Sequence, residues 1–131
     1  MGSGTELGRV RGLGSSKEGA HHWWHQRVTA AGNLVLMLWL LASIARLPAH
    51  DHATVAAWLG SPLAAVPMIL LVASVFYHFR MGLQVLIEDY LHGPGRFAAM
   101  LLLTFFCVGS AGIAIFAILK IAFNATGASL A

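Results

Sequence analysis

Charge is what this chain has least of. Of its 131 residues only 10% are charged, against about 25% in an ordinary soluble domain. There is one cysteine, which excludes a disulfide framework and an iron–sulfur cluster held by this chain's own thiolates. No Gly-rich nucleotide-binding fingerprint follows an apolar strand pattern, so a flavin or dinucleotide fold is excluded as well. Internal repeats and low-complexity tracts are also missing. Hydrophobic residues instead make up 58% of the chain, and the mean hydropathy is +0.75.

Three apolar runs are long enough to cross a bilayer, which takes roughly 20 residues. Residues 28–45 and 97–119 carry no charge, and residues 62–87 are interrupted only by His78 and Arg80. The reading is an all-α membrane protein of three transmembrane helices, over about 28–47, 62–90 and 96–121, with residues 1–27 as an N-terminal segment ahead of a three-helix anchor domain at 28–131. Pro48 stops the first span. Ser61-Pro62 supplies an N-cap and a first-turn proline for the second. Gly93-Pro94-Gly95 breaks the chain between the second and third, which should form an antiparallel hairpin. "DHATVAAWLG" reads as a short interfacial helix with Trp58 at headgroup level.

Lys and Arg are retained on the cytoplasmic side. Arg9, Arg11, Lys17, Arg27 and Arg96 share one side of the three-span topology, and Arg46 and Lys120 the other. The count places the N-terminus in the cytoplasm and the C-terminus in the periplasm, so the +3 net charge reflects topology and implies no nucleic acid. The first 20 residues lack a signal peptide's apolar core, so the first span is expected to be a retained signal-anchor. Cys107 lies inside the third span and reads as a packing residue.

Ionisable groups at membrane depth are costly and mark function by default. His78 lies 16 residues after Pro62, roughly 24 Å along a helix at 1.5 Å per residue. Asp89 comes 11 residues after His78, a separation that returns to within roughly 20° of the same direction at about 100° per residue. Gly82 and Val85 fall on that stripe. A neutral imidazole can ligate haem iron, and a glycine one turn away leaves room for a flat macrocycle; alternatively, the ring hydrogen-bonds a carbonyl on a neighbouring helix. Only one convincing intramembrane histidine is present, so bis-histidine ligation would need a second ring from another chain, and no C-x-x-C-H exists for covalent attachment.

Arg80 sits about 200° from His78. It either leans on Gln84 and Glu88, along an i, i+4, i+8 ladder, or meets a carboxylate from another subunit. Asp89 and Tyr90 stand where the second helix emerges: a phenol that donates a hydrogen bond beside a carboxylate that relays protons, or a belt aromatic beside a helix end. His92 either passes protons or is solvated. In "HHWWHQR", Trp23 and Trp24 read as interface anchors, and His21, His22, His25 and Arg27 have no diagnostic metal-ligand spacing. Arg27 would suit a buried anionic group such as a haem propionate. His50 and His52, in the outer loop, read as solvated.

With these residues in view, the chain resembles the smaller of the hydrophobic membrane anchors of succinate dehydrogenase (complex II), in its alphaproteobacterial and mitochondrial-like form. The resemblance runs from about Arg9 to Lys120. Its most specific part is H-x-x-x-G-x-x-x-x-x-x-D-Y, met by His78, Gly82, Asp89 and Tyr90 and continued by His92-Gly93. "HHWWHQRVTA" is similar to the family's approach to its first helix. Arg80 departs from the family, which usually has a small or less basic residue there.

The resemblance implies a membrane anchor of succinate:ubiquinone oxidoreductase, serving respiration and the tricarboxylic acid cycle in the bacterial inner membrane. It implies that His78 ligates haem b together with a histidine of a companion cytochrome b anchor, and that Gly82 packs against the haem. His21 and Arg27, spaced six apart as in the family, would face the haem propionates. Tyr90 would hydrogen-bond ubiquinone, supported by Asp89. Succinate would be oxidised on a flavoprotein subunit, with electrons passing through an iron–sulfur subunit. Two other readings stay open: an anchor of a quinol:fumarate reductase, and a haem-free structural anchor.

Overall fold

The computed structural model describes residues 19–128. They form four helices with no strand among them: α1 (Gly19–Ala45), α2 (His52–Leu59), α3 (Pro62–Tyr90) and α4 (Pro94–Ala128). α1, α3 and the Pro94–Asn124 part of α4 are long and apolar enough to span a membrane. The protein is thus an all-α, three-span integral membrane protein, as the composition requires. Arg9, Arg11 and Lys17, which weigh in the orientation count, lie outside the described residues.

The helix ends follow local chemistry. Within the described residues α1 runs uninterrupted from Gly19, ahead of the apolar run, to Ala45, so "HHWWHQR" is part of this helix and not a separate flank. It closes through i→i+3 bonds, Arg46 N–H to Ser43 O at 3.2 Å and Leu47 N–H to Ile44 O at 3.1 Å, and Pro48 bars a further turn. Asp51 caps α2, its carboxylate accepting from the N–H groups of Ala53 at 3.1 Å and Thr54 at 3.3 Å, and from the Thr54 hydroxyl at 2.6 Å. The Thr54 hydroxyl, then the backbone donors, hold the Asp51 carboxyl below its ordinary value.

Ser61 precedes α3 in extended conformation, but its side chain makes no capping bond. Its carbonyl takes the N–H groups of Ala64 and Ala65 instead, so the expected serine cap is a backbone cap and Pro62 fixes the first turn. The interior Pro67 has no N–H to give the carbonyl of Leu63. Between α3 and α4, Gly93 takes φ +66°, the left-handed conformation that glycine adopts without a Cβ clash.

α3 is the central helix. It packs antiparallel against α4 and against α1, whereas α1 and α4 do not meet; α2 lies across α3 and α4. The apolar core gathers Leu59, Ala65 and Ile118, flanked by Trp58, Met68, Ile69, Val72 and Ile121. Leu71, Met81, Leu103 and Cys107 are buried further along α3 and α4, while that cluster sits at the α2 end of the bundle. Ala64 and Ala65 let the backbones approach there, as small residues do between membrane helices. Trp58 stacks on Trp39 of α1 with ring centroids 6.0 Å apart, pinning α2 to the first span. Cys107 is buried in α4. No residue of α1 is fully buried, so its outer face is left to lipid or another chain.

Candidate functional site

The end of the bundle away from that apolar cluster holds most of the polar residues. On α1, which packs against α3, the half-buried positions His22, Gln26, Thr29, Asn33, Leu36, Leu40 and Ser43 form one series, with Gly32 and Trp39 half-buried beside it. Alternating steps of four and three keep one seam towards the neighbour. Its first four members are polar; His22 and Gln26 line a cavity with the C-terminal half of α3, and Thr29 reaches it as well.

At this seam Thr29 meets His78. The Thr29 hydroxyl lies 3.0 Å from His78 Nδ1, 2.7 Å from the carbonyl of His25 and 3.2 Å from that of Gln26. His78 therefore bonds to a hydroxyl on the adjacent helix, not to a backbone carbonyl. One turn earlier on α1, His25 Nδ1 is 3.5 Å from the Tyr77 hydroxyl and the two rings meet edge-on. The ring of His21 follows at 6.2 Å from His25.

The stripe through His78 stays open. Gly82 and Asp89 are exposed, as is Val85, and a Cβ built on Gly82 would meet nothing within 4 Å. Beyond it, Tyr90 is 77% exposed. Val85 of this stripe lines the cavity that α3 shares with α1, and His78 is half-buried at its inner limit.

Arg80 leaves α3 on another face and donates from Nε to Thr104 Oγ1 of α4 at 3.2 Å; Thr104 itself donates to the carbonyl of Met100 at 2.8 Å. Gln84 does donate to Glu88 at 3.2 Å, but Glu88 pairs with Arg96 at 3.1 Å. The expected Arg80–Gln84–Glu88 ladder is therefore divided between two partners. Between α1 and α3, His21, His25, Tyr77, Arg80, Gln84 and Glu88 line a cavity of about 880 Å³.

His21 and Arg27 are not brought together. Six residues apart on α1, they diverge by about 120°: His21 lines the cavity, and the Arg27 guanidinium lies 5.4 Å over the Trp23 ring. Among the described residues no three His, Cys, Asp or Glu side chains converge on a metal position. His50 Nε2 lies 3.2 Å from the Ile44 carbonyl, so this loop histidine ties back to α1 while remaining exposed.

Comparison with known proteins adds to this geometry. The family model described as succinate dehydrogenase/fumarate reductase transmembrane subunit matches residues 1–122. The succinate dehydrogenase hydrophobic membrane anchor subunit of Rickettsia bellii is 35% identical over 66% of this chain and 70% of its own length. That of Paracoccus denitrificans is 30% identical over 88% of this chain and 90% of its own length. The succinate dehydrogenase membrane anchor subunit of Reclinomonas americana is 33% identical over 60% and 68% respectively. No solved structure matches the chain.

Proposed function

Since the chain belongs to the succinate dehydrogenase/fumarate reductase transmembrane subunit family, we propose that it anchors a succinate:ubiquinone oxidoreductase in the bacterial inner membrane, binds haem b with a companion anchor, and forms part of the ubiquinone-reduction site. The observation that carries this reading is the open stripe on α3. It begins at His78, passes the uncovered Gly82 and Asp89, and ends on the exposed phenol of Tyr90.

The residues present fit a haem. His78 engages the protein through Nδ1 and keeps Nε2 without a partner among the described residues. The space beside Gly82 admits a planar group against the backbone. His78 is the axial ligand that this chain would supply, so the second falls to the companion cytochrome b anchor. His21 and Arg27 would address the propionates; their divergence around α1 means that they would reach different anionic groups, Arg27 after leaving the Trp23 ring. Haem b, when bound, supplies a one-electron redox centre within the membrane.

Ubiquinone is the substrate. A quinone carbonyl gains from a donor that strengthens as negative charge develops on its oxygen, and Tyr90 offers an O–H for that purpose. Asp89, next to it and exposed, orients the phenol's surroundings and hands protons in from water. Succinate oxidation is not assigned to this chain. That chemistry belongs to the flavoprotein of the complex, and the iron–sulfur protein brings electrons to the Tyr90 end, which lies on the cytoplasmic side together with the N-terminus. The outer face of α1, without a buried residue, is left for the companion anchor and lipid.

The test is to isolate the complex through a tag on this chain. The expected result is copurification of the flavoprotein, the iron–sulfur protein and the companion cytochrome b anchor, with succinate-driven ubiquinone reduction exceeding quinol-driven fumarate reduction. A preparation that favours fumarate reduction reverses the assigned direction. One that holds no b-type haem leaves only the structural-anchor reading.

A further inference from the structure

The contact between Thr29 and His78 fixes more than a distance. A threonine hydroxyl has one proton to donate, while its oxygen can accept. In α1 the Thr29 oxygen lies 2.7 Å from the carbonyl of His25, four residues back, the usual back-bond of a helical threonine. With its proton committed there, Thr29 meets His78 Nδ1 at 3.0 Å as an acceptor, so Nδ1 must carry the ring proton. A neutral imidazole protonated on Nδ1 presents an unprotonated Nε2. The opposite assignment would put an N–H on Nε2, where no acceptor is found among the described residues; inside a membrane that unpaired donor is the costlier choice.

We infer that Thr29 is a positioning residue: its hydroxyl, anchored on the carbonyl of His25, selects the His78 tautomer with a free Nε2 and fixes the ring's orientation. This rests on the proposed ligation of haem by His78. It assigns a role to the first span, whose Thr29 lies 49 residues from the ligand in sequence. A ligating imidazole whose other nitrogen donates to an oxygen is a more basic ligand. Greater basicity favours ferric iron, so the Thr29 contact should lower the haem's midpoint potential.

The experiment uses the assembled complex with Thr29→Val, which keeps the branched shape and loses the oxygen, and Thr29→Ser, which restores it. Potentiometric titration of the b-type haem and electron paramagnetic resonance of its ferric state are the readouts. Thr29→Val is expected to raise the midpoint potential and move the ferric g-values, with Thr29→Ser returning both towards the parent. If the valine chain loses haem or does not assemble and the serine chain is normal, the hydroxyl requirement stands. Equal failure of both variants, or an unchanged potential and spectrum in Thr29→Val, overturns the inference. His78→Leu in the same complex separates the two claims. Loss of the haem signal there, with Thr29→Val silent, defeats only the role of Thr29, whereas a signal unchanged by His78→Leu defeats the ligation itself.

Discussion

Arg80 and Thr104 bridge the two arms of the α3–α4 hairpin, Nε to Oγ1 at 3.2 Å, and each stands twelve residues from His92. The turn at Gly93 sets that register. An arginine in a span needs such a partner, because a bare guanidinium in hydrocarbon is costly. The bond thus accounts for a cation inside the span that faces away from His78.

Thr104→Val should lower the stability of the assembled complex by about 1 kcal/mol, the scale of a polar contact between membrane helices. Combining it with Arg80→Leu should recover much of that loss, since removing both partners leaves no unsatisfied donor. Thermal dissociation of the purified complex, run as a double-mutant cycle, measures both. Strictly additive effects would mean that the bond couples nothing.

The hairpin turn itself is sensitive at Gly93. Its φ of +66° costs an L-residue about 1–2 kcal/mol, and an added Cβ would meet nothing within 4 Å. Gly93→Ala should therefore destabilise through the backbone alone, by about 1 kcal/mol. Gly93→Asn should cost less, because asparagine tolerates this conformation. The order of the two melting temperatures checks the cause.

At the other end of the bundle, α2 depends on the ionised form of Asp51. The Thr54 hydroxyl and backbone donors lower the folded-state pKa beneath the ordinary 3.8. The capping contribution is then fully present above that value and lost as pH falls through the lowered folded value. Amide exchange at Ala53 and Thr54 should accelerate below about pH 3.8, beyond the intrinsic pH trend, and Asp51→Asn should remove that pH dependence. Unaltered protection through the acid range would show that the carboxylate does not hold the turn.

Tyr90→Phe removes the proposed donor to quinone and leaves the rest of α3 unchanged. Loss of one hydrogen bond, about 1–1.5 kcal/mol, corresponds to roughly a tenfold fall in ubiquinone reduction. Succinate-driven reduction of a soluble artificial acceptor should stay near the parent rate, because that route bypasses the membrane site. An equal fall in both assays would place the defect in assembly instead.

How far these features can be read from sequence depends on the contact involved. The spans are legible because crossing hydrocarbon demands long charge-free runs, and the α2 helix because Asp51 and Gly60 bracket it. The start of α1 is harder: "HHWWHQR" is polar and aromatic, so it resembles an interface, while nothing in it breaks a helix. Thr29 was recoverable from the four-three alternation of His22, Gln26, Thr29 and Asn33, but polar residues hide a seam usually sought as apolar. Thr104 was accessible only after placing the turn, since its meeting with Arg80 follows from equal distances along the hairpin. Ser61 illustrates the reverse: residue and backbone fit a cap, yet its side chain makes no capping bond.

Haem ligation by this chain is tested most directly by the reduced-minus-oxidised spectrum of the purified complex carrying His78→Leu. The imidazole, bonded through Nδ1 to Thr29 beside an uncovered Gly82, is the proposed axial ligand. The b-type haem signal is expected to be lost or displaced while the flavoprotein and the iron–sulfur protein still copurify. A b-type spectrum identical to that of the parent complex would contradict the ligation.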